Sequence, residues 1–385
     1  MISQPIVIMK RISVIGLFFL LFSQWTFGVA YADDAAVLPK GIWRFYVDQQ
    51  FYLPITEKYD KDGHKENVAA EFNVPLDVVQ PGIPGRSVVS FSWDIKQLFF
   101  APAYGLTDKL SVGIIIPYIW QTNTISADVD ATAKSFGITA NDIQNILVAR
   151  GFQRLQTWSD SGLGDIEAGG RYQYFKSDSF QLAFTGGVRF PTGKVDDPNN
   201  LGDRGFGDGV YALLFRLQQD YIRQTPGIAS QLGVPEPGSF LLNTTFRYDL
   251  LLPDTQWLRV CNFQNPACTN QGNVHRNLGD VVEAEISGSV GLFKGLYLTP
   301  LFKYGHKFGD HYSGDQSFDY QTLADETRYN EYIYKISLSY SNLAQFLEKK
   351  FPFPFIASIG YRDRFAGNNN LFVSQYIDLV LEAYF

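Results

Sequence analysis

Cysteines and long apolar runs are both scarce in this chain of 385 residues. Beyond residue 32, no apolar run approaches the ~20 residues that a membrane-spanning helix requires. Basic residues are also outnumbered there, with 30 Lys and Arg against 39 Asp and Glu, a formal net charge of −9. Because no clustered basic face offsets this acidity, we expect no nucleic-acid partner.

The two cysteines, Cys261 and Cys268, stand close together in the sequence. An exported chain meets an oxidising compartment, so this even count predicts a disulfide that closes a small loop. A pair of free thiols is the alternative. The loop offers too few ligands for a metal site, and no other feature of the sequence requires a cofactor.

The N-terminus has the pattern of a secretory signal peptide. Lys10 and Arg11 precede an apolar run over residues 12–22, and Ala30-Tyr31-Ala32 gives a small-x-small cleavage site. Cleavage there divides the chain into a signal peptide, residues 1–32, and an exported domain, residues 33–385. An N-terminal membrane anchor is the alternative, but the apolar run is short for one.

Aromatic residues are abundant, with 22 Tyr and 32 Phe, and the final segment shows how they are used. Ile377 and Leu381 share one face of a strand, whereas Asp378 and Glu382 share the other. A membrane barrel requires this arrangement, with apolar side chains toward lipid and polar ones toward the lumen. The terminal Phe385 resembles the signal that outer-membrane barrels present to their assembly machinery. We therefore expect that machinery and outer-membrane lipid as partners.

Twelve segments of the chain alternate in this way, an even number, as a single-chain outer-membrane barrel requires. They cover residues 43–53, 88–103, 110–120, 164–175, 180–190, 209–219, 240–252, 280–292, 296–308, 329–341, 355–365 and 375–385. A chain without membrane helices satisfies its backbone hydrogen bonds inside lipid only as a closed barrel. The sequence therefore predicts an all-β fold, a transmembrane antiparallel up-and-down β-barrel of about 12 strands in the bacterial outer membrane. A soluble β-sandwich is the alternative.

The connections between the segments alternate in length, which gives an orientation. With the N-terminus in the periplasm, the long connections lie outside the cell. The connection over residues 220–239 is an exception, because it is long yet periplasmic. Residues 127–151 of one outer loop have a helical period, and this helix either folds into the barrel mouth or packs on the rim. A short periplasmic helix is predicted over residues 343–350.

The inward face of the predicted barrel is rich in ionisable groups. Ionised groups that face a dry core are unfavourable unless paired, so the interior must be wet, densely paired or both. Salt-bridge ladders across the lumen would brace the wall, and steering of a solute is the alternative role. The predicted lumen-facing residues are Asp94, Lys96, Glu167, Arg171, Arg189, Arg216, Arg247, Asp249, Glu283, Glu285, Lys303, Glu331, Lys335, Arg362, Arg364, Asp378 and Glu382.

Catalytic signals in the sequence are weak. His306 and His311 flank Asp310, and Ser313 follows, which are residue types that a hydrolase would need in contact. The segment begins an outer loop, so we interpret it as solvated loop. We predict no catalytic residue and no enzymatic activity.

Two blocks of the sequence resemble a known family. The first block is the segment from Gly162 to Glu167, which is followed by a tyrosine-rich strand and by the segment from Gly186 to Lys194. The second block is the hairpin from Tyr104 to Gly113. Similar blocks occur in outer-membrane proteins of the MetA-pathway of phenol degradation family. The resemblance implies uptake of aromatic or other hydrophobic compounds.

Related fatty-acid and hydrocarbon channels have an N-terminal plug. Here residues 33–41 are too short for one, so we expect no hatch. The expected function is an outer-membrane channel or transporter that passes small molecules, hydrophobic or aromatic compounds among them, through the lumen. The alternative is a closed structural barrel with a salt-bridged lumen, whose outer loops bind a partner.

Overall fold

Alternating apolar and polar residues form the strands of a closed barrel in the computed structural model, which describes residues 34–223, 238–260 and 269–385. The predicted signal peptide and both cysteines lie outside the described residues, as does most of the long connection that follows the sixth barrel strand. Barrel strands β1 to β12 span Trp43–Tyr52, Ser87–Thr107, Leu110–Val129, Ile166–Lys176, Phe180–Phe190, Ala212–Arg223, Phe240–Leu251, Val281–Phe293, Leu296–Lys307, Tyr329–Ser341, Phe355–Gly367 and Gln375–Tyr384.

Each barrel strand pairs antiparallel with the next along the chain, and β12 pairs with β1 to close the ring. Phe51 lies opposite Ile377 and Arg44 opposite Tyr384 in that closing pair. Closure leaves no unpaired edge, which a sheet surrounded by lipid requires. The predicted twelve-stranded antiparallel barrel is confirmed.

The outer face of the barrel is apolar and the inner face is buried. Phe246, Ile359 and Leu381 point outward and are each about half exposed. Their inward neighbours Arg247 and Glu382 are almost completely buried. This period of two is what a wall between acyl chains and a filled lumen needs.

Strand β2 reverses the predicted faces. Phe91 and Trp93 point inward and are buried, whereas Asp94 and Lys96 are exposed on the outer side. The prediction of Asp94 and Lys96 as lumen-facing residues was therefore wrong. The reason is the length of the strand, because its extracellular half extends as far as the loops. On the inner side the loops supply apolar partners, and on the outer side the strand meets water instead of lipid.

Short helices and strands form the connections. The helices are α1 (Leu76–Val79), α2 (Ala131–Ser135), α3 (Ala140–Ala149) and α4 (Leu343–Leu347), and short strands cover Glu57–Tyr59, Lys65–Asn67, Trp158–Leu163, Asp254–Arg259, Gln271–Asn277 and His311–Ser313. No helix in the described part of the chain is long and apolar enough to cross a membrane.

The loop helix begins later than predicted, because β3 continues to Val129. Thr139 caps the N-terminus of α3, and its side chain accepts a hydrogen bond from the Asp142 amide in a capping box. None of its residues is fully buried, and Ile143 packs against a small cluster that includes Val129. Leu147 packs against the buried aromatic residues of the mouth, so the helix lies on the rim and contributes a side chain to the mouth. The predicted periplasmic helix is present as α4.

The lumen as candidate functional site

Buried salt bridges connect the inner faces of β4 to β7. Glu167 on β4 accepts hydrogen bonds from Arg189 on β5 at 2.8 Å and from Arg216 on β6 at 3.2 Å. Arg189 also donates to Asp249 on β7 at 2.9 Å. Asp249 in turn receives two bonds from Arg247, at 2.7 and 2.6 Å. One carboxylate on β7 thus serves two guanidinium groups.

The same chain of ion pairs continues around the wall to β11. Arg247 lies 3.6 Å from Glu283 on β8, and Glu283 accepts from Lys303 on β9 at 2.7 Å. Lys303 lies 3.6 Å from Glu331 on β10, which accepts from Arg364 on β11 at 2.9 Å. These pairs form one continuous network, here called the ladder, that crosses the consecutive strands from β4 to β11.

A separate pair, Lys335 with Asp378, joins β10 to β12 beneath the end of the ladder. The two side chains pass directly over Gly360 of β11. A Cβ atom at that glycine would lie 2.2 Å from the Asp378 carboxylate and 2.8 Å from the Lys335 side chain. Glycine is therefore required there by the close approach of the pair.

The wall formed by β2 and β3 is apolar where the ladder is absent. Trp93 and Phe99 on β2 and Ile119 on β3 are buried on the inner face. The polar groups between them are uncharged amides, of which Gln97 and Gln121 are almost completely buried. The described lumen therefore has a charged side on β4 to β11 and a largely apolar side on β2 and β3.

Apolar side chains from several loops fill the extracellular mouth. Phe72, Phe152, Phe206 and Phe372 pack with Trp93 and other inward residues in one cluster, here called the mouth cluster. Its buried members are Tyr52, Ile55, Val68, Ala69, Phe72, Val89, Phe91, Trp93, Ile95, Ile119, Phe152, Leu201, Phe206, Phe372 and Tyr376. Burial of these side chains holds the loops inward over the mouth.

Two arginines reinforce the mouth cluster. The Arg204 guanidinium lies 4.8 Å from the centre of the Phe372 ring and 5.8 Å from that of Trp93. Arg259 lies 4.2 Å from the Phe152 ring and donates to the carbonyl of Gly151 at 2.6 Å. Both contacts are cation–π interactions, and that of Arg259 ties separate loops together.

Buried carboxylates in the outer loops have altered acidity. Burial raises the pKa of Asp196 to about 8, and burial together with nearby Asp165 raises the pKa of Asp208 to about 7. Burial also raises the pKa of Glu71 to about 7, although its ion pair with Lys58 at 2.8 Å opposes the rise. The loop layer therefore contains carboxyl groups that titrate near neutral pH.

Below the ladder, the lumen contains a cavity of about 680 Å³. Glu167, Arg216, Lys335 and Asp378 border it toward the ladder, and the periplasmic ends of the strands border it on the other side. Between these ends, the inner wall carries small polar side chains together with a few apolar ones. They include Ser111, Thr185, Leu214, Leu241, Ser289, Thr299, Ser337, Ser339, Ser358 and Val380.

A short N-terminal segment, residues 34–41, enters the periplasmic end of this cavity. Arg171 donates to Asp34 at 3.3 Å, and Gln173 donates to the carbonyl of Ala35 at 2.9 Å. The Ala35 amide donates to Asp220 at 2.9 Å. The segment is short, and polar side chains of the inner wall hold it inside the barrel.

The structure places the remaining predicted residues on the inner face. Arg171, Arg216 and Glu285 are half-buried there. The others are buried, namely Glu167, Arg189, Arg247, Asp249, Glu283, Lys303, Glu331, Lys335, Arg362, Arg364, Asp378 and Glu382. Glu382 lies apart from the ladder, 3.8 Å from Arg44 near the periplasmic rim.

Several lumen residues were missed by the sequence analysis. Asp48 on β1 is completely buried and accepts from Gln50 at 2.9 Å, and Tyr46 donates to the same carboxylate at 3.2 Å. Asp48 and Gln50 share one face of the alternating segment 43–53, so the sequence does carry a signal for them. Arg204 carried no such signal, because it lies in a loop.

The residues that gave the weak catalytic signal make structural contacts in the fold. The Asp310 carboxylate pairs with Lys307 and accepts from Tyr312 at 3.1 Å, whereas His306 contacts Asn330 at 2.8 Å. His311 is exposed on a short strand.

Another polar group is formed by Asp60, Asp62 and His64, which approach one another in an outer hairpin. The amides of Asp62 and His64 donate to Asp60 at 2.9 and 2.8 Å. This group is therefore explained as a turn.

No protein-family model and no curated protein matches the sequence. A crystal structure of an outer-membrane channel from Pseudomonas putida F1 is similar, with a TM-score of 0.52 and 13% identity over 92% of this chain and 98% of that one.

Two further similar structures have lower scores. The Pseudomonas putida toluene transporter TodX has a TM-score of 0.39 and 10% identity, covering 95% of each chain. The translocator domain of the autotransporter NalP from Neisseria meningitidis has a TM-score of 0.40 and 9% identity, over 91% of this chain and 90% of that one. Scores under 0.5 support no argument. The first similarity shows the shared fold, so the chain is a bacterial outer-membrane β-barrel.

Proposed function

We propose that this barrel is a channel for small hydrophobic or aromatic molecules, which pass from the mouth cluster along the apolar wall into the cavity. The observation that supports the proposal most is that the lumen has a charged side and an apolar side. A fully braced structural barrel has no need of an apolar wall beside an aromatic mouth, or of a cavity of about 680 Å³ in its lumen. An apolar solute gains contact area along that wall without displacing the ladder.

The comparisons are consistent with this proposal. The similar structure with a TM-score of 0.52 is an outer-membrane channel. The resemblance of two sequence blocks to the phenol degradation family points to the same class of compound.

The proposal can be tested by uptake of toluene and benzyl alcohol into cells whose outer membrane contains the protein. Ser339 lines the cavity, and its neighbour Leu338 points outward. We expect Ser339→Trp to obstruct the lumen and lower uptake several-fold, and Leu338→Trp to leave it unchanged. Both variants should retain heat-modifiable mobility on gels. Native protein that adds nothing to the uptake of cells lacking it would refute the proposal.

The ladder favours a second candidate, a closed structural barrel. Asp249 and Glu331 are each held by two basic side chains, which is the arrangement of a brace. If this candidate is correct, ladder variants destabilise the barrel, and neither Ser339→Trp nor the native protein affects uptake of any aromatic compound.

A further inference from the structure

Arg362 differs from the ladder arginines on the inner wall. Its side chain is 8% exposed, and its Nε atom is buried with no hydrogen-bond partner. In the described part of the chain, no carboxylate lies within ion-pair distance of its guanidinium. Its contact is instead with an aromatic ring, because the guanidinium carbon lies 5.2 Å from the centre of the Tyr376 ring.

Arg364, on the same strand, is an arginine that braces the wall. Arg364 donates to Glu331 at 2.9 Å and to the carbonyl of Phe372 at 2.8 Å. Arg189 and Arg247 likewise share the Asp249 carboxylate. The carboxylates of Glu331 and Glu283 act on Arg362 only from beyond ion-pair distance, so its guanidinium remains available to pair with an anion that arrives from outside the chain.

The surroundings of Arg362 restrict the chemistry of that anion. The Tyr376 ring lies 4.9 Å from the Tyr52 ring, and the Tyr52 hydroxyl donates to Gln97 at 3.2 Å. Both tyrosines belong to the mouth cluster. Arg362 lies opposite Lys335 in the strand register, and Lys335 borders the cavity. The guanidinium therefore lies beside the aromatic mouth, next to a residue that borders the cavity.

We propose that Arg362, Tyr52 and Tyr376 form a subsite for an aromatic carboxylate inside the lumen. A guanidinium binds a carboxylate through two parallel hydrogen bonds, and an aromatic ring attached to it can pack edge-to-face or offset against the tyrosines. A neutral hydrocarbon would contact the rings and leave the guanidinium without an anion. This inference rests on the proposed function, because it names the substrate class of the same lumen.

The subsite is tested by calorimetric titration of the purified protein in detergent with benzoate, benzyl alcohol and acetate. We expect benzoate to bind at least tenfold more tightly than either, since benzyl alcohol lacks the charge and acetate lacks the ring. Arg362→Gln should weaken benzoate binding by roughly 10- to 100-fold, the range expected for hydrogen bonds to a charged group, and leave benzyl alcohol unaffected. Lys96→Gln removes the same charge from the outer face and should change nothing.

A second variant distinguishes a loss of binding from a loss of folding. Arg362→Lys keeps the charge but not the planar pair of donors, so we expect an intermediate loss of benzoate affinity. Equal binding of benzoate and benzyl alcohol, or unchanged benzoate affinity in Arg362→Gln, would overturn the subsite. Uptake of neutral aromatics without a benzoate preference refutes the subsite and leaves the channel. Benzoate binding without uptake of any aromatic compound supports the subsite and refutes the channel.

Discussion

Removal of the Asp249 carboxylate should destabilise the barrel more than any change on its outer face. Asp249 is completely buried and receives two hydrogen bonds from Arg247 and one from Arg189. In Asp249→Ala, all three charge-assisted bonds are lost. Arg189 keeps its bond to Glu167, whereas Arg247 retains only longer contacts of 3.6 Å.

The expected loss is about 3–5 kcal/mol in the free energy of unfolding, because breaking a buried ion pair leaves a charge without compensation. Urea unfolding of the protein in lipid vesicles, followed by tryptophan fluorescence, measures this quantity. Asp94→Ala is the matched control. Its side chain is exposed on the outer side of β2, so its effect should stay within about 0.5 kcal/mol.

A double variant separates the charge effect from the loss of packing. Asp249→Ala combined with Arg247→Leu removes the stranded guanidinium together with its carboxylate, so it should be more stable than Asp249→Ala alone. If Asp249→Ala were as stable as Asp94→Ala, water in the lumen would be solvating the guanidinium groups. The interpretation of the ladder as a dry brace would then be wrong.

Three further predictions concern the loops and the N-terminal segment. Arg259→Ala removes a stack on Phe152 and hydrogen bonds between loops, so limited proteolysis of the extracellular loops should become roughly tenfold faster, as losing a bond of about 1.5 kcal/mol implies. The raised pKa values of Asp196 and Asp208 mean that the folded loops bind protons more tightly than the unfolded chain. Stability should therefore fall as the pH rises from about 4 to 8, and protease resistance at pH 5 and pH 8 measures this; Asp196→Asn should reduce the dependence. Arg171→Ala should speed hydrogen exchange in residues 34–41 by several-fold, since it removes contacts that hold this segment in the cavity.

The barrel strands could be predicted because lipid imposes one rule on most of the wall. Where a strand lies within the membrane, as Gln375–Tyr384 does, apolar residues must point outward and the period of two is unambiguous. The rule fails for the extracellular part of Ser87–Thr107. There the loops provide an apolar interior and water bathes the exterior, so the same alternation has the opposite meaning at Trp93 and Asp94.

The pairing within the lumen could not be predicted from the sequence. Alternation places Arg362 and Arg364 on the same face of one strand, with nothing in the sequence to distinguish them. Their partners depend on the register with neighbouring strands, and the register between β10 and β11 shifts at Tyr332 and Ile333, where Phe365 is the extra residue on β11. That register brings Glu331 to Arg364, while Arg362 faces Tyr376.

The difference between Arg362 and Arg364 also distinguishes two roles for lumen residues, which are bracing the wall and binding a solute. Arg364 ties β11 to Glu331 and to the backbone of the last outer loop, so its loss should loosen the wall and the mouth. Arg362 ties no strand to another through an ion pair, so its removal should relieve an unfavourable burial and cost little stability. Its guanidinium lies over the Tyr376 ring and makes no hydrogen bond through Nε, which is the arrangement that a subsite for an aromatic carboxylate requires.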